Sequence, residues 1–526
     1  MVHSSTSLLR QRSAGSSKRR LARILGALLA VSWAACASTV GTAVLPRTPS
    51  YALAPASDSP LGRLFATADA GDCMFTAVDH GSDGLDARLA LVAGASSSID
   101  VQSYLWHPDT CGALLLDEIL RAADRGVRVR LLIDGFKLET GRELTAALSQ
   151  HPNVEFRLFN PTVHVGGVWE TVELIENLGR LDHRMHGKLF LVDGVAGVFG
   201  GRNIGAEYFG LGDEINMRDF DMLAAGPVID DLEECFDAFW NSEWVVPVED
   251  LAVPESGSPD AHGYAREFLT GIHAAEARLD DRRAADASIW LSALARARSE
   301  MIPGRAEVIH DLADITARGA AGAMARAFER TLESSHGDAL LVSAYFVPDQ
   351  RILKWIQRHT AAGHRVQILT NSYSSTNQSL AHAYYAASRR SLLEAGAELY
   401  ELRPDAWSHV HHRMPRSRAD ALCLHAKSAV FGRDQVLIGS MNLDPRSMVL
   451  NTEIGVLVES EELASNVRAA LERELADRNA WRVSVHSDGG LRWTSQGVVH
   501  TRDPEMTTRE AVREWFLRLL PLRGEV

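Results

Sequence analysis

The sequence predicts an α/β protein built from two tandem copies of one lobe, and two repeats carry that prediction. A strand, helix, strand pattern occurs twice, and a polar motif set in an apolar run also occurs twice. The first pattern reads "SIDVQSYLW", a strand, then "ALLLDEILRAADRG", with apolar residues 115, 116, 119, 120 and 123 spaced for a helix closed by Gly126. It ends on "VRVRLLID", a second strand. The pattern returns as "ALLVSAYFV", "RILKWIQRHTAAG" and "HRVQILT", in which Tyr345 and Gly363 answer Tyr104 and Gly126. The motif "HGKLFLVDGVAGVFGGRN" from His186 returns as "HAKSAVFGRDQVLIGSMN" from His425, 239 residues later. So long a period excludes a solenoid and implies two lobes related by a pseudo-twofold axis, with a site at their interface.

The remaining elements follow in chain order. Residues 1–37 read as an export signal, because the basic stretch "KRRLAR" precedes an apolar run, "ILGALLAVSWAA", that is short of the roughly 20 residues needed to span a bilayer. Ala34 and Ala35 before Cys36 resemble a lipoprotein cleavage site, with ordinary signal cleavage as the alternative. The expected location is the bacterial cell envelope, exported and membrane-associated. Residues 38–70, rich in Ser, Thr, Pro and Ala, read as a tether. The first lobe is expected over 71–252, a connecting helical segment over 253–335, and the second lobe over 336–526. Five scattered cysteines without a CxxC pair indicate neither zinc nor a dense disulfide framework. The net charge of -14, from 54 basic and 68 acidic side chains, weighs against a nucleic-acid partner.

Alternate residues of a strand share a face, so His186 points with Lys188 and His425 with Lys427. Asn203 and Asn442 each lie 17 residues beyond their His, just after Gly200-Gly201 and Gly439-Ser440. Gly admits close backbone approach to a ligand, while Ser and Asn can donate to an anion. Two imidazoles, two ammoniums and two amides on one surface suit a phosphodiester: one His attacks phosphorus, the other protonates the leaving oxygen, and Lys and Asn hold the equatorial oxygens. No metal or cofactor is required. Each imidazole needs a carboxylate to orient it, and the candidates are Glu453 for His425 and Asp219 or Asp221 for His186.

The two copies resemble the HxKxxxxD motifs of the phospholipase D superfamily. "RMHGKLFLVDGVAGVFGGRNIGAEYFG", "HPNVEFRLFNP", "LIGSMNLDPRSMVLNTEIG" and "AGAELYELRP" are similar to the bacterial cardiolipin synthase C group, from about residue 75 to the C-terminus. The resemblance implies two α/β/α lobes, a phosphohistidine-type intermediate, and phosphatidyl transfer between phospholipids to make cardiolipin, with phosphatidylglycerol, and phosphatidylethanolamine beside it, as lipid partners at a membrane surface. It also makes His186 the nucleophile and His425 the general acid. Hydrolysis to phosphatidic acid, a nuclease of the same fold, and a catalytically dead lipid binder are the rival readings.

The second copy departs from the motif, with Gly432 where the first has Asp193. Both positions fall at a turn between strands, so Asp193, grouped with Gly201, Ser440 and Asp221 around the substrate, is expected to act on structure and not as a proton carrier. The blander expectations are that His409, His411 and His412 line a polar loop, Cys423 is a small buried neighbour of the site, and Asp100 and Gln102 are structural. Near the C-terminus, Val512, Trp515, Phe516, Leu519 and Leu520 have helical spacing, which fits a helix packed on its own domain or lying on a membrane.

Overall fold

The strand runs of the first repeat become β1 (Cys73–Val78), β2 (Ser98–Ser103), β3 (Arg128–Asp134), β4 (Val154–Phe159), β5 (Leu189–Val192), β6 (Ala196–Gly200), β7 (Ile215–Arg218), β8 (Asp221–Ala225) and β9 (Val245–Pro247). They fold with helices α1 (Gly81–Gly94), α2 (Thr110–Asp124) and α3 (Val228–Trp240). The computed structural model describes residues 48–66, 72–135, 148, 150–161, 182–250, 287–312, 321–415, 417–520 and 524. The export signal, Cys36 and the expected boundary near residue 253 lie outside the described residues.

The second half contains α4 (Ala287–Ser299), β10 (Ile302–His310), α5 (Ala323–Ser334), β11 (Ala339–Ser343), α6 (Gln350–Ala361), β12 (Val366–Asn371), α7 (Ser379–Glu394) and β13 (Glu398–Leu402). Then come β14 (Ala421–Leu424), β15 (Lys427–Phe431), β16 (Gln435–Gly439), β17 (Ile454–Glu459), α8 (Glu461–Glu472), β18 (Ala480–Val485), β19 (Leu491–Ser495), β20 (Val498–His500) and α9 (Thr508–Leu519).

The two sheets share one topology. The first runs β1-β8-β6-β5-β2-β3-β4-β9, and the second runs β10-β17-β16-β15-β11-β12-β13-β18 before the β19-β20 extension. In each, three central strands are parallel and the flanks antiparallel, as crossover helices require. Edge strands β1 and β10 pair antiparallel, Phe75 opposite Ile302, which makes the sheet continuous. Both crossover helices start on an aspartate cap, Asp109 for α2 and Asp349 for α6, and both are followed by a left-handed glycine, Gly126 at φ 96° and Gly363 at φ 90°. Between the lobes, Phe75, Phe199 and Phe220 share an apolar core with Ile302, Ile438 and Ile454. Asp100 is structural, bonded at 2.7 Å to the buried Arg130.

Two segment expectations are corrected. The tether does not hang free where it is described: Ser50 is bonded to Asn241 and Trp240, and Leu61 and Phe65 are buried. Its apolar residues are sparse, and Leu61 and Phe65 find sockets while Tyr51 and Leu53 stay exposed. The connecting segment also does not end at 335 as helix, because β10 pairs with β17 and α5 packs its Met324 and Phe328 into the second lobe's core. The second lobe therefore begins near residue 302, and an alternating strand hidden in an Ala- and Arg-rich stretch gave no clear period.

Asp193 has a positive φ of 57°, and its carboxylate accepts from the backbone N–H of Ser96, Ser97 and Ser98 and from the Ser96 hydroxyl, at 2.7 to 3.1 Å. It caps a turn and holds no substrate, so its grouping with the substrate residues is corrected. In the second lobe that turn is held differently. Gly432 sits at φ 59°, its N–H donates to Asp338 O, and a Cβ there would meet His336 O at 2.4 Å. Asp193→Ala is expected to lower unfolding free energy by about 2–4 kcal/mol, since four hydrogen bonds end on one buried group and alanine disfavours positive φ. Urea denaturation checks this, and Gly432→Asp should likewise destabilise and leave the second motif no better.

Candidate active site

The residues before each histidine are laid against the opposite lobe. Met185 bridges Thr452 in parallel, and His186 N donates to Thr452 O at 2.8 Å. In the other half β14 pairs in parallel with β7, and His425 N donates to Arg218 O at 2.8 Å. The residue after Thr452 is Glu453 and the residue after Arg218 is Asp219, so this pairing delivers each lobe's carboxylate to the other lobe's imidazole. His186 Nδ1 is 2.9 Å from Glu453 Oε2, and His425 Nδ1 is 2.5 Å from Asp219 Oδ2. The expected partnerships, Glu453 with His425 and Asp219 or Asp221 with His186, are thus corrected: the carboxylates cross over.

The contacts also set the tautomers. His186 Nδ1 lies 2.9 Å from the Ser440 carbonyl, which can only accept, so Nδ1 carries the proton and Nε2 keeps the lone pair. On His425, the ionised Asp219 at 2.5 Å draws the proton to Nδ1 in competition with Lys427 Nζ, a donor 2.8 Å from the same nitrogen. Lys188 Nζ donates to His186 O and Lys427 Nζ to His425 O, which ties each ammonium to its own histidine.

All six ionisable groups are buried, and burial dominates their electrostatics. It lowers Lys188 to about 7, with the Lys427 charge adding to the effect, and it lowers Lys427 to about 8. Burial and the two lysines push His186 well below its ordinary value, and burial with Lys427 brings His425 to about 3. Each lysine thus acts on the other lobe's histidine, as groups of one site must. Burial raises Glu453 to about 7 against Lys188 and Ser440. Burial pushes Asp219 the same way, but His425 and Lys427 outweigh it and hold that carboxyl below the ordinary range.

The lysine shifts have opposite consequences for stability and binding. Between the folded values, near 7 and 8, and the ordinary 10.5, the unfolded chain binds more protons, so these two groups make stability rise with pH across that window. Phosphate binding needs the ammonium form and should weaken across the same window. Calorimetry of the wild type against Lys188→Met/Lys427→Met is expected to show the wild type gaining relative stability from pH 7 to 10, while inhibition by inorganic phosphate fades above pH 8.

Gly201 and Ser440 occupy equivalent positions but do different things. A Cβ at Gly201 would meet Asp219 Oδ1 at 2.1 Å, so glycine there makes room for the carboxylate. The Ser440 hydroxyl donates to Glu453 Oε2. Both were expected to face substrate, and both instead serve the carboxylates. Asn203 Oδ1 accepts from Leu105 N at 3.3 Å, whereas Asn442 Oδ1 is buried with no partner among the described residues, leaving an acceptor open to a donor on a ligand. Asp221 is not at the substrate either, because it bonds Arg88 at 3.0 Å and the Arg202 backbone.

The other sequence candidates fall outside the chemistry. His409 faces Asn216, His412 faces Glu474 at 3.0 Å, and burial raises the Cys423 thiol to about 12, which suits packing and not attack. Gln102 is buried, and among the described residues neither end of its amide has a hydrogen-bond partner.

Sequence reasoning missed two aromatic walls: Tyr104 stands edge-on to His186 and Tyr208 edge-on to His425, each at 5.2 Å. Equating Tyr345 with Tyr104 was one residue out, since Ser103 bonds Leu105 O as Ser343 bonds Tyr345 O. The position answering Tyr104 is Ala344. Also missed was Arg218, buried between Asp79 at 2.5 Å and Glu474 at 2.9 Å, whose carbonyl holds the backbone of His425 and Ala426. No spacing rule marks either feature.

Two stretches, residues 89–240 and 328–475, match the family described as cardiolipin synthase, PLD-like domain. The chain belongs to this phospholipase D-like family. Each matched stretch falls within one of the two lobes and contains that lobe's histidine. The chain is 33% identical over 458 residues to cardiolipin synthase C of Escherichia coli K12, covering 86% of this chain and 94% of that protein. Cardiolipin synthase B of the same strain is 22% identical, covering 76% and 79%. The crystal structure of phosphatidylserine synthase from Haemophilus influenzae aligns at a TM-score of 0.56 and 15% identity, over 86% of this chain and 95% of that one, which is a likeness of fold.

Proposed function

We propose that the protein is an exported, membrane-associated phosphatidyltransferase that makes cardiolipin from a phospholipid donor and a phospholipid acceptor. The observation that carries this reading is the pair of imidazoles, each fixed at Nδ1 by a carboxylate from the opposite lobe and each beside a lysine. His186 Nε2 attacks phosphorus, the bond to the leaving oxygen breaks, and His425 Nε2–H supplies the proton to that oxygen. The acceptor hydroxyl then gives its proton to His425 and its oxygen attacks phosphorus, breaking the P–N bond and freeing His186. Asp219, held ionised, favours a cation on His425, and a bound phosphate offsets the Lys427 charge that, with burial, keeps His425 neutral at rest. Its Nε2 therefore takes up a solvent proton as the donor lipid binds and gives it to the leaving oxygen. That asymmetry supports His425 as the acid and His186 as the nucleophile. Phosphatidylglycerol, as donor and acceptor, fits two lysines for its phosphate and the unpartnered Asn442 Oδ1 as acceptor for a headgroup hydroxyl.

The test is a product assay on vesicles of phosphatidylglycerol and phosphatidylethanolamine, read by mass spectrometry. Cardiolipin is the expected product. Phosphatidic acid alone would move the assignment to hydrolysis, and cleavage of plasmid DNA without lipid turnover would move it to a nuclease.

A further inference from the structure

We infer that the outer face of α9 is the surface by which the protein lies on an anionic phospholipid bilayer, an inference that rests on the phospholipid reading above. The helix is docked inside out. Its fully buried side chain is Glu514, which meets His382 Nδ1 at 2.5 Å, while Val512, Trp515, Phe516 and Leu519 are 51, 55, 59 and 61% exposed. A helix packed on its own domain buries the apolar face instead.

Polar anchors fix this orientation. Thr507 and Glu510 form a capping box, and Arg513 reaches Tyr373 and Ser379. Behind Glu514, Arg389 bonds His382, Glu401 and Asp503. The outward composition is aromatic and aliphatic with a basic edge: Arg509, Arg513 and Arg518 are exposed, the last also pairing with Glu514 at 3.0 Å, whereas Glu510 is spent on the cap and Glu514 is buried. On a chain of net charge -14 this is a local basic rim around an apolar strip, the pattern of a helix lying in a lipid interface. A three-turn face is too small for a stable second copy, which needs about 1,200 Å² or more. Among the described residues no helix is long and apolar enough to cross a membrane.

The strip is tied to the chemistry. Ser374 donates to Pro504 O just before α9, and Ser374 belongs to the loop leaving β12. Asn371 at the end of β12 clamps both backbone groups of Leu424, the residue before His425. Sites of α/β sheets open at the carboxyl ends of their strands, so a bilayer under α9 presents lipid on that side.

The experiment uses the full chain with vesicles of phosphatidylglycerol and phosphatidylcholine, the latter brominated in its acyl chains to quench bilayer-inserted tryptophan. The wild type should be quenched, and Trp515→Phe should lose that quenched component. In parallel, Val512→Ser/Phe516→Ser/Leu519→Ser should turn over vesicle lipid about tenfold more slowly or worse, yet process a monomeric short-chain phospholipid at the wild-type rate. Equal quenching in wild type and Trp515→Phe, or equal vesicle rates, would overturn the docking surface, whether α9 meets another copy or only water. Quenching at Trp515 with no turnover of any lipid would overturn the catalytic reading and leave the docking intact.

Discussion

His186→Ala and His425→Ala are each expected to lower phosphatidyl transfer by about a thousandfold or more, because each removes a group that forms or breaks a bond in both half-reactions. Their signatures should differ. A donor with a good leaving group needs no proton in the first step, so His425→Ala should still be loaded by it and then stall for want of a base. Rapid acid-free digestion and mass spectrometry should therefore find phosphatidyl-His186 accumulating in His425→Ala and absent from His186→Ala. The reverse pattern would exchange the two roles. Near-normal transfer by His425→Ala would mean that the Gly432 half of the molecule is idle.

The second large effect is unequal between the two carboxylates. Asp219→Asn is expected to cost about a hundred- to ten-thousandfold in turnover, because an amide at 2.5 Å from Nδ1 removes the charge that stabilises the His425 cation and is able to reverse its tautomer. Glu453→Gln should cost clearly less, about tenfold, since the Ser440 carbonyl still accepts from His186 Nδ1 at 2.9 Å. The damage should also cross the lobes: Asp219 lies in the first, yet its variant should accumulate the intermediate as His425→Ala does. Steady-state rates and trapping of the intermediate decide both points. Equal losses in the two variants would show that the carbonyl does not hold the tautomer alone.

The sequence by itself determined the duplication, the parallel β-α-β units, and the His, Lys and Asn of each motif. All of these rest on local periodicity or on spacing within one repeat, and a chain displays such relations directly. It also denied Asp193 the part of a proton carrier, since Gly stands at the equivalent turn, but only the structure removed it from the substrate. What only the tertiary structure decided are the relations between distant segments. Glu453 and Asp219 are each nearest in sequence to the histidine they do not serve, because the strands that carry them pair across the pseudo-twofold axis. The same holds for Tyr104 and Tyr208 as walls, for Arg218 beneath His425, and for β10 completing the second sheet. The orientation of α9 belongs there too: its periodicity announces an amphipathic helix, but a single buried pair, Glu514 with His382, decides which face meets the protein. A pattern fixes what a segment is able to bury, whereas partners from elsewhere in the chain fix what it does bury.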